Sequence, residues 1–337
     1  MQNRTDLALE LKEEKNIGSA QSGIIVKTRI DTTNHVKETK IIIKNKKGED
    51  SLGKPKGTYI TIEAKDLSTN DGSFHKEMSE ALFLNLKEML NKKKKILIAG
   101  LGNADVTADS LGPKVVNNLY ITRHLQKEGI GNYQFELSAI APGVMAQTGI
   151  ETSEILESLA DRIKPDVVIV IDALAARSYS RLNKTIQISD TGIAPGSGVG
   201  NHRNEITQHT IGVPVLAIGV PTVVDATTIT VDAIQMTLKY LYLESENKTS
   251  YANKLSPTLV YENLNSVEDM SDTHKEAFLG PFGKLTEEQQ RTLIEEVLTP
   301  QGYNLMVTPK EIDVEVEDLS KIIANGINLA VHSGLYN

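Results

Sequence analysis

The chain has 337 residues, a formal net charge of −8, 39% hydrophobic and 24% charged residues, which is the make-up of a globular protein rather than a disordered one. The acidic balance argues against an electrostatic grip on nucleic acid, and 4% aromatic residues without tryptophan argue against a base-stacking surface. The absence of cysteine excludes a thiol nucleophile, a disulfide framework and cysteine-ligated zinc, while no apolar run approaches a bilayer span and the polar start MQNRTDLALELKEEKN carries no secretory h-region.

Residues 1–20 are polar, with Leu7, Leu9 and Leu11 in loose alternation, and read as an exposed arm. GIIVKTRI (23–30), ETKIIIKN (38–45) and GTYITIEA (57–64) are short β-branched runs, expected to form a small antiparallel β-unit. HKEMSEALFLNLKEMLNKKKK (75–95) has apolar residues at helical spacing, and its lysines suit a helix C-terminus. A strand–helix alternation follows: strand 95–103, helix 112–129 with Pro113 in its first turn, strand 135–143, helix 152–164 and strand 166–173. A strand at 181–190, a glycine-rich loop at 192–200, a strand at 213–221 and a helix at 232–244 continue it. Residues 246–275 are pattern-poor and read as a loop insertion; helices at 286–300 and 313–332 close the chain. Near-continuous apolar strands between helices predict an α/β fold, a three-layer sandwich around a mostly parallel sheet, with residues 7–337 as one domain.

In such a sheet ligands sit beyond the carboxyl ends of the strands. The segments expected there are GLGNADVTADSLGP (100–113), APGVMAQTGIET (141–152), Asp172 with ALAARS, SDTGIAPGSGVGNHR (189–203) and VPTVVDATT (220–228). GLGNAD matches only the first two glycines of a dinucleotide fingerprint and puts Asp105 where a pyrophosphate would approach, so a tight turn is the better reading. The glycine loop lacks the Lys-Ser/Thr ending of a P-loop, and Ser197 lies in no G-x-S-x-G elbow. No H-E-x-x-H occurs; His124 and His202 read as surface or capping residues, with His202 kept as a site candidate by its neighbours. The carboxylates remain. Asp109 and Asp172 follow different strands, and two carboxyls held close share a proton, so that one can activate water and the other protonate a leaving group. The alternatives are a metal held by both acids and a histidine, or purely structural roles, with Asp172 paired to Arg177 and Asp109 capping the next helix.

Several long blocks then resemble the germination protease family: RTDLALE (4–10), GLGNADVTADSLGPKVVNNLYITRHL (100–125), PGVMAQTGIETSEI (142–155), IDALAARS (171–178), TIQISDTGIAPGSGVGNHR (185–203), GVPTVVDATTIT (219–230) and NLMVTPKEID (304–313). The resemblance covers nearly the whole chain in order. It implies an endopeptidase that opens the degradation of small acid-soluble spore proteins at germination, in the cytoplasm of the forespore and spore core. It implies a self-processing zymogen and a homotetramer. It also implies a core like that of the hydrogenase maturation proteases, and catalysis by Asp109 and Asp172 with no cofactor or metal. A metal-dependent maturation-type protease on the same fold is the alternative. Family cut sites have the form Thr-Glu-Phe/Ile-Ala-x-Glu, which TDLALE (5–10) matches in shape, so residues 1–6 are expected to be a propeptide released by cutting between Asp6 and Leu7. Arg177, Arg181 and Arg203 are candidates to hold the acidic residue before the cut. Backbone N–H groups of the glycine loop, Gly196 and Gly198 among them, are candidates for contacts to substrate or its oxyanion.

Overall fold

The computed structural model describes residues 5–18, 20–21, 23–31, 36–64, 72–91, 93–131, 133–196, 203–246, 271–299 and 305–332. Its strands are β1 (Ala20–Gln21), β2 (Ile24–Asp31), β3 (Val36–Ile43), β4 (Gly57–Ala64), β5 (Lys95–Gly100), β6 (Glu136–Ile140), β7 (Val167–Ala176), β8 (Thr185–Ser189) and β9 (Val215–Asp225). They run side by side in the order β1-β2-β3-β4-β8-β9-β7-β5-β6. The β9-β7-β5-β6 half is parallel, and β5, β7 and β9 are largely apolar on both faces, as a covered parallel sheet requires. The expected small β-unit is present but is not separate. β4 pairs antiparallel with β8, and β8 with β9, so one sheet is parallel at its core and antiparallel at its N-terminal end.

The helices are α1 (Ala8–Glu14), α2 (Lys46–Leu52), α3 (Gly72–Leu90), α4 (Leu111–Asn117), α5 (Arg123–Lys127), α6 (Met145–Thr148), α7 (Thr152–Ile163), α8 (Gln208–Ile211), α9 (Ala226–Glu246), α10 (Asp272–Leu279), α11 (Glu287–Leu298) and α12 (Ile312–His332). One sheet face carries the main core, where Phe74, Met78 and Leu82 of α3 and Val316, Ile323 and Ile327 of α12 pack on Ile98, Ile169, Ile171 and Ile218. The other face carries two smaller cores. Leu156 of α7 and Ile211 of α8 pack on Val168, Val170 and Val215. Ala8 and Leu11 of α1 and Leu52 of α2 pack on Ile41, Ile43 and Tyr59. Helices on both faces make the chain an α/β protein.

Three features differ from the sequence expectations. Residues 5–11 are not an exposed arm: Leu7 and Ala8 are fully buried, and the alternating leucines belong to the start of a helix. The helix expected over 112–129 is two helices, because between them Thr122 turns to β6, its hydroxyl donating to the Phe135 carbonyl at 2.8 Å and accepting from Leu137 N–H at 3.1 Å. β7 runs on past Asp172, since residues 173–176 pair with Val220–Val224 of β9. Contacts divide the chain into two compact units, Met1–Val224 with Thr308–Asn337, and Asp225–Val307. The second unit gathers α9, α10 and α11. Within it Arg291 donates to the Asp225 carboxylate at 2.7 Å and to the Thr228 hydroxyl at 3.0 Å. Most of the expected 246–275 loop insertion lies outside the described residues.

Backbone packs directly on backbone where β5 ends. A Cβ on Gly112 of α4 would lie 2.3 Å from the Leu101 carbonyl oxygen, and one on Gly100 would lie 2.1 Å from that of Gly112. No flexible side chain can yield there. Gly112→Ala is expected to lower the unfolding free energy by about 2 kcal/mol or more, whereas Gly72→Ala, with open space around it, leaves it within about 0.5 kcal/mol; urea unfolding of both variants measures the contrast.

Candidate active site

Asp172 lies in the interior of β7 and is 5% exposed. Its nearest strand partner is Gly219 of β9, and Gly219 is paired on its other side with Gln187 of β8. Directly paired residues project to one sheet face, so Asp172, Gly219 and Gln187 form a row there. Gly219 leaves that row low in the middle, and its missing side chain is replaced by Leu174, whose Cδ1 would sit 2.4 Å from a Cβ at this position. The row lies between the two smaller cores of that face. Asp172 accepts a hydrogen bond from its neighbour Ala173 N–H at 3.0 Å, and no pairing with the Arg177 side chain is seen among the described residues.

Asp109 ends a short 3₁₀ turn, Thr107–Asp109, after β5. Its carboxylate accepts from Asn103 N–H at 2.7 Å, and the cap position of α4 belongs to Ser110. The turn is held from two sides. Thr222 of β9 donates its hydroxyl to the Ala108 carbonyl at 2.7 Å. Gly102, at φ +108°, lies so close to Asp109 that a Cβ would meet its carbonyl oxygen at 2.0 Å. The GLGN segment is therefore a tight turn that supports Asp109, and Asp105 is turned away onto Gln147 at 3.2 Å.

Burial holds the Asp172 carboxyl well above the ordinary carboxylate range; the Asp109 charge pushes it further up and the Asp6 charge adds to that, against the opposing pull of Ala173 N–H and Arg203. Burial likewise raises Asp109, opposed by the Asn103 N–H and by Arg203. Three acids thus meet in one electrostatic neighbourhood, with Arg203 facing the pair. The third acid comes from the N-terminal segment. Asp6 N–H donates to the Ala175 carbonyl at 3.0 Å, and the Asp6 carboxylate accepts from Ala175 N–H at 3.0 Å. Burial lowers the Lys54 ammonium while the Asp6 charge raises it, which couples this cation electrostatically to Asp6.

The segment after Asp6 is anchored by Glu10, which is 3% exposed. Glu10 accepts from Arg177 N–H at 2.7 Å, from Ser178 N–H at 3.0 Å, from the Thr5 hydroxyl, and from Arg181 at 3.3 Å. Arg181 also grips both Glu13 oxygens at 2.8 Å and Glu63 at 3.0 Å. Of the three candidate arginines, Arg203 acts electrostatically on both aspartates, Arg181 is committed to three glutamates, and Arg177 contributes its backbone. Gly196, at φ +75°, ends the described part of the glycine loop; Gly198, Ser197 and His202 lie outside the described residues. Two residues were missed by the sequence reading, Gln187 and Lys54, and Glu10 was read only as the end of the cut-site match. Gln187 carried a usable signal, being a polar residue inside the buried run Thr185–Ser189.

Comparison with known proteins decides the family. The family described as germination protease matches residues 3–337. The chain belongs to the germination protease family. The germination protease of Geobacillus sp. (strain WCH70) is 44% identical over 98% of this chain and 93% of that protein. That of Bacillus cytotoxicus is 45% identical and that of Priestia megaterium 42%, each over the same shares. Among solved structures, the [NiFe] hydrogenase maturation protease HycI from Thermococcus kodakarensis aligns with 41% of this chain and 80% of its own, at 20% identity and a TM-score of 0.28. The chain is therefore a peptidase of a family that acts in spore germination, and no helix of the described residues is long and apolar enough to cross a membrane.

A carboxyl that titrates higher in the folded than in the unfolded chain contributes stability that is fully present below the unfolded value, about 3.9 for Asp, and is lost as pH rises through the raised folded value. Asp172→Asn removes that loss. The wild-type protein should therefore become less stable than Asp172→Asn as pH rises from about 4 towards 8, with a slope approaching about 1.4 kcal/mol per pH unit. Parallel urea-unfolding profiles of the two proteins over that range would instead show that Asp172 ionises normally.

Proposed function

We propose that the chain is a self-processing zymogen that first cuts its own Asp6–Leu7 bond, and that the processed enzyme then cuts small acid-soluble spore proteins after an acidic residue. Asp109 and Asp172 share the work on water. One observation carries the reading: the carboxyl of Asp172, deep in the sheet, is pushed well above the ordinary carboxylate range by burial, by Asp109 and by the Asp6 of a segment with the shape of a cut site. The pair titrates jointly, and the more buried Asp172 is the member that keeps the shared proton.

The chemistry then divides by position. The Asp109 carboxylate takes a proton from water, whose oxygen bonds to the carbonyl carbon of the residue before the cut. As the tetrahedral intermediate collapses and the C–N bond breaks, Asp172 gives its proton to the departing nitrogen. One water is consumed, an α-carboxyl and an amine are formed, and a proton returned from Asp109 to Asp172 restores the pair. Lys54 and Arg203 supply the positive charge that an acidic residue at the cut requires. The homotetramer and the forespore and spore-core location go with the family resemblance.

Intact mass of the purified protein, followed over time at mildly acidic pH, tests the reading. Wild type is expected to lose residues 1–6, while Asp109→Asn and Asp172→Asn each slow that loss about 10³-fold or more. Processing of both variants at the wild-type rate would remove the aspartate pair from the mechanism.

A further inference from the structure

A peptidase needs more than an acid and a base: as water adds, the scissile carbonyl oxygen becomes an anion, and a donor aimed at that oxygen is among the largest contributions to rate. The sequence offered only the glycine loop for this task. In the structure a side chain occupies the place. Gln187 donates through Nε2 to the carbonyl oxygen of Asp6 at 3.2 Å. Its Oε1 accepts from the N–H of Ala8 at 2.7 Å. The Asp6 carbonyl and the Ala8 amide flank the Asp6–Leu7 bond, so one carboxamide brackets it. We infer that Gln187 is a catalytic residue, the donor that stabilises the oxyanion at the residue before the cut. The inference rests on the self-cleavage site proposed above.

The geometry suits this role in three respects. First, Gln187 is 8% exposed and is fixed in β8 between Thr61 of β4 and Gly219 of β9, so the donor is preorganised and shielded from water. Second, the direction of the amide is set by its partners: turned over, it would put its NH₂ against the Ala8 N–H and its oxygen against the Asp6 carbonyl, with both bonds lost. Third, 3.2 Å is slightly long for a ground-state N–H···O bond. A donor that shortens its bond as charge builds on oxygen favours the transition state over the substrate. Gln187 also stands one strand beyond Gly219 from Asp172, on the same sheet face, so donor and acid act from the same side of the sheet.

The test reads Gln187→Leu and Gln187→Glu against wild type, Asp109→Asn and Asp172→Asn. Two quantities are measured: the rate of self-processing in the full chain, and kcat and KM of the processed protein on a synthetic peptide of residues 3–12. Gln187→Leu removes the donor without burying a charge and is expected to lower the processing rate and kcat about 100-fold or more, with KM within about threefold of wild type. Gln187→Glu lacks the donor when ionised and regains one when protonated, so its deficit relative to wild type at the same pH should shrink as pH falls. A residue that only holds the segment in place would show neither behaviour. KM raised with kcat unchanged, or a Gln187→Glu deficit independent of pH, overturns the assignment. Wild-type rates in the Gln187 variants, with both aspartate variants inactive, overturn it while leaving the aspartate mechanism standing. Absence of any wild-type cut at Asp6–Leu7 overturns both.

Discussion

Burying a carboxyl group inside a sheet is unfavourable unless the group stays neutral or finds compensating partners. Asp172 is offered little compensation: one N–H from its neighbour and the charge of Arg203, against two further acids. The remainder of the site follows from this imbalance. A carboxyl so placed holds its proton more tightly than an ordinary one, and the fold must bear the cost of burying it. It does so by placing Asp172 in a strand flanked on both sides, by β5 and β9, with the main core beneath it through Ile169 and Ile171. Functional sites are commonly where local rules are broken, at a cost carried by the surrounding structure.

The cations are divided between two tasks. Arg181 is saturated by Glu10, Glu13 and Glu63, and these acids raise its already high affinity for its proton in spite of burial. It is a fastener between α1 and the sheet. Lys54 and Arg203 face the acids of the site without such a set of partners in the described residues. Arg181 thus fixes geometry, whereas Lys54 and Arg203 act on the acids through their charge.

Much of this was legible in the sequence, and the limits have physical causes. The parallel strands read well because their apolar runs are local signals, and Asp172 was conspicuous because it interrupts one of them. The extent of β7 was not legible. ALAA is weak strand material by propensity and is extended only because β9 offers it a partner from more than 40 residues away. The junction of β4 with β8 is likewise a pairing between distant segments that leaves no periodicity behind. The single helix expected over 112–129 has a continuous helical pattern, yet Thr122 gains more from the edge of β6 and Asn328 of α12 caps the break at Tyr120 N–H. Leu7, Leu9 and Leu11 alternate like an edge strand, but burial against the sheet selects a helix from Ala8 onward. Gln187 shows what a symmetrical reading would have found: the question asked of Asp172 applies equally to a carboxamide inside TIQIS.

The Glu10 anchor has a further consequence. It lies on the Leu7 side of the proposed cut, with four donors converging on one carboxylate. Of the two ends made by that cut, the N-terminal piece is held, among the described residues, through Asp6 to β7 and through Thr5 to Glu10. The new amine at Leu7 is tethered by α1. The reaction would therefore leave a resident product, whose ammonium becomes a permanent fixture of the site that every later substrate meets.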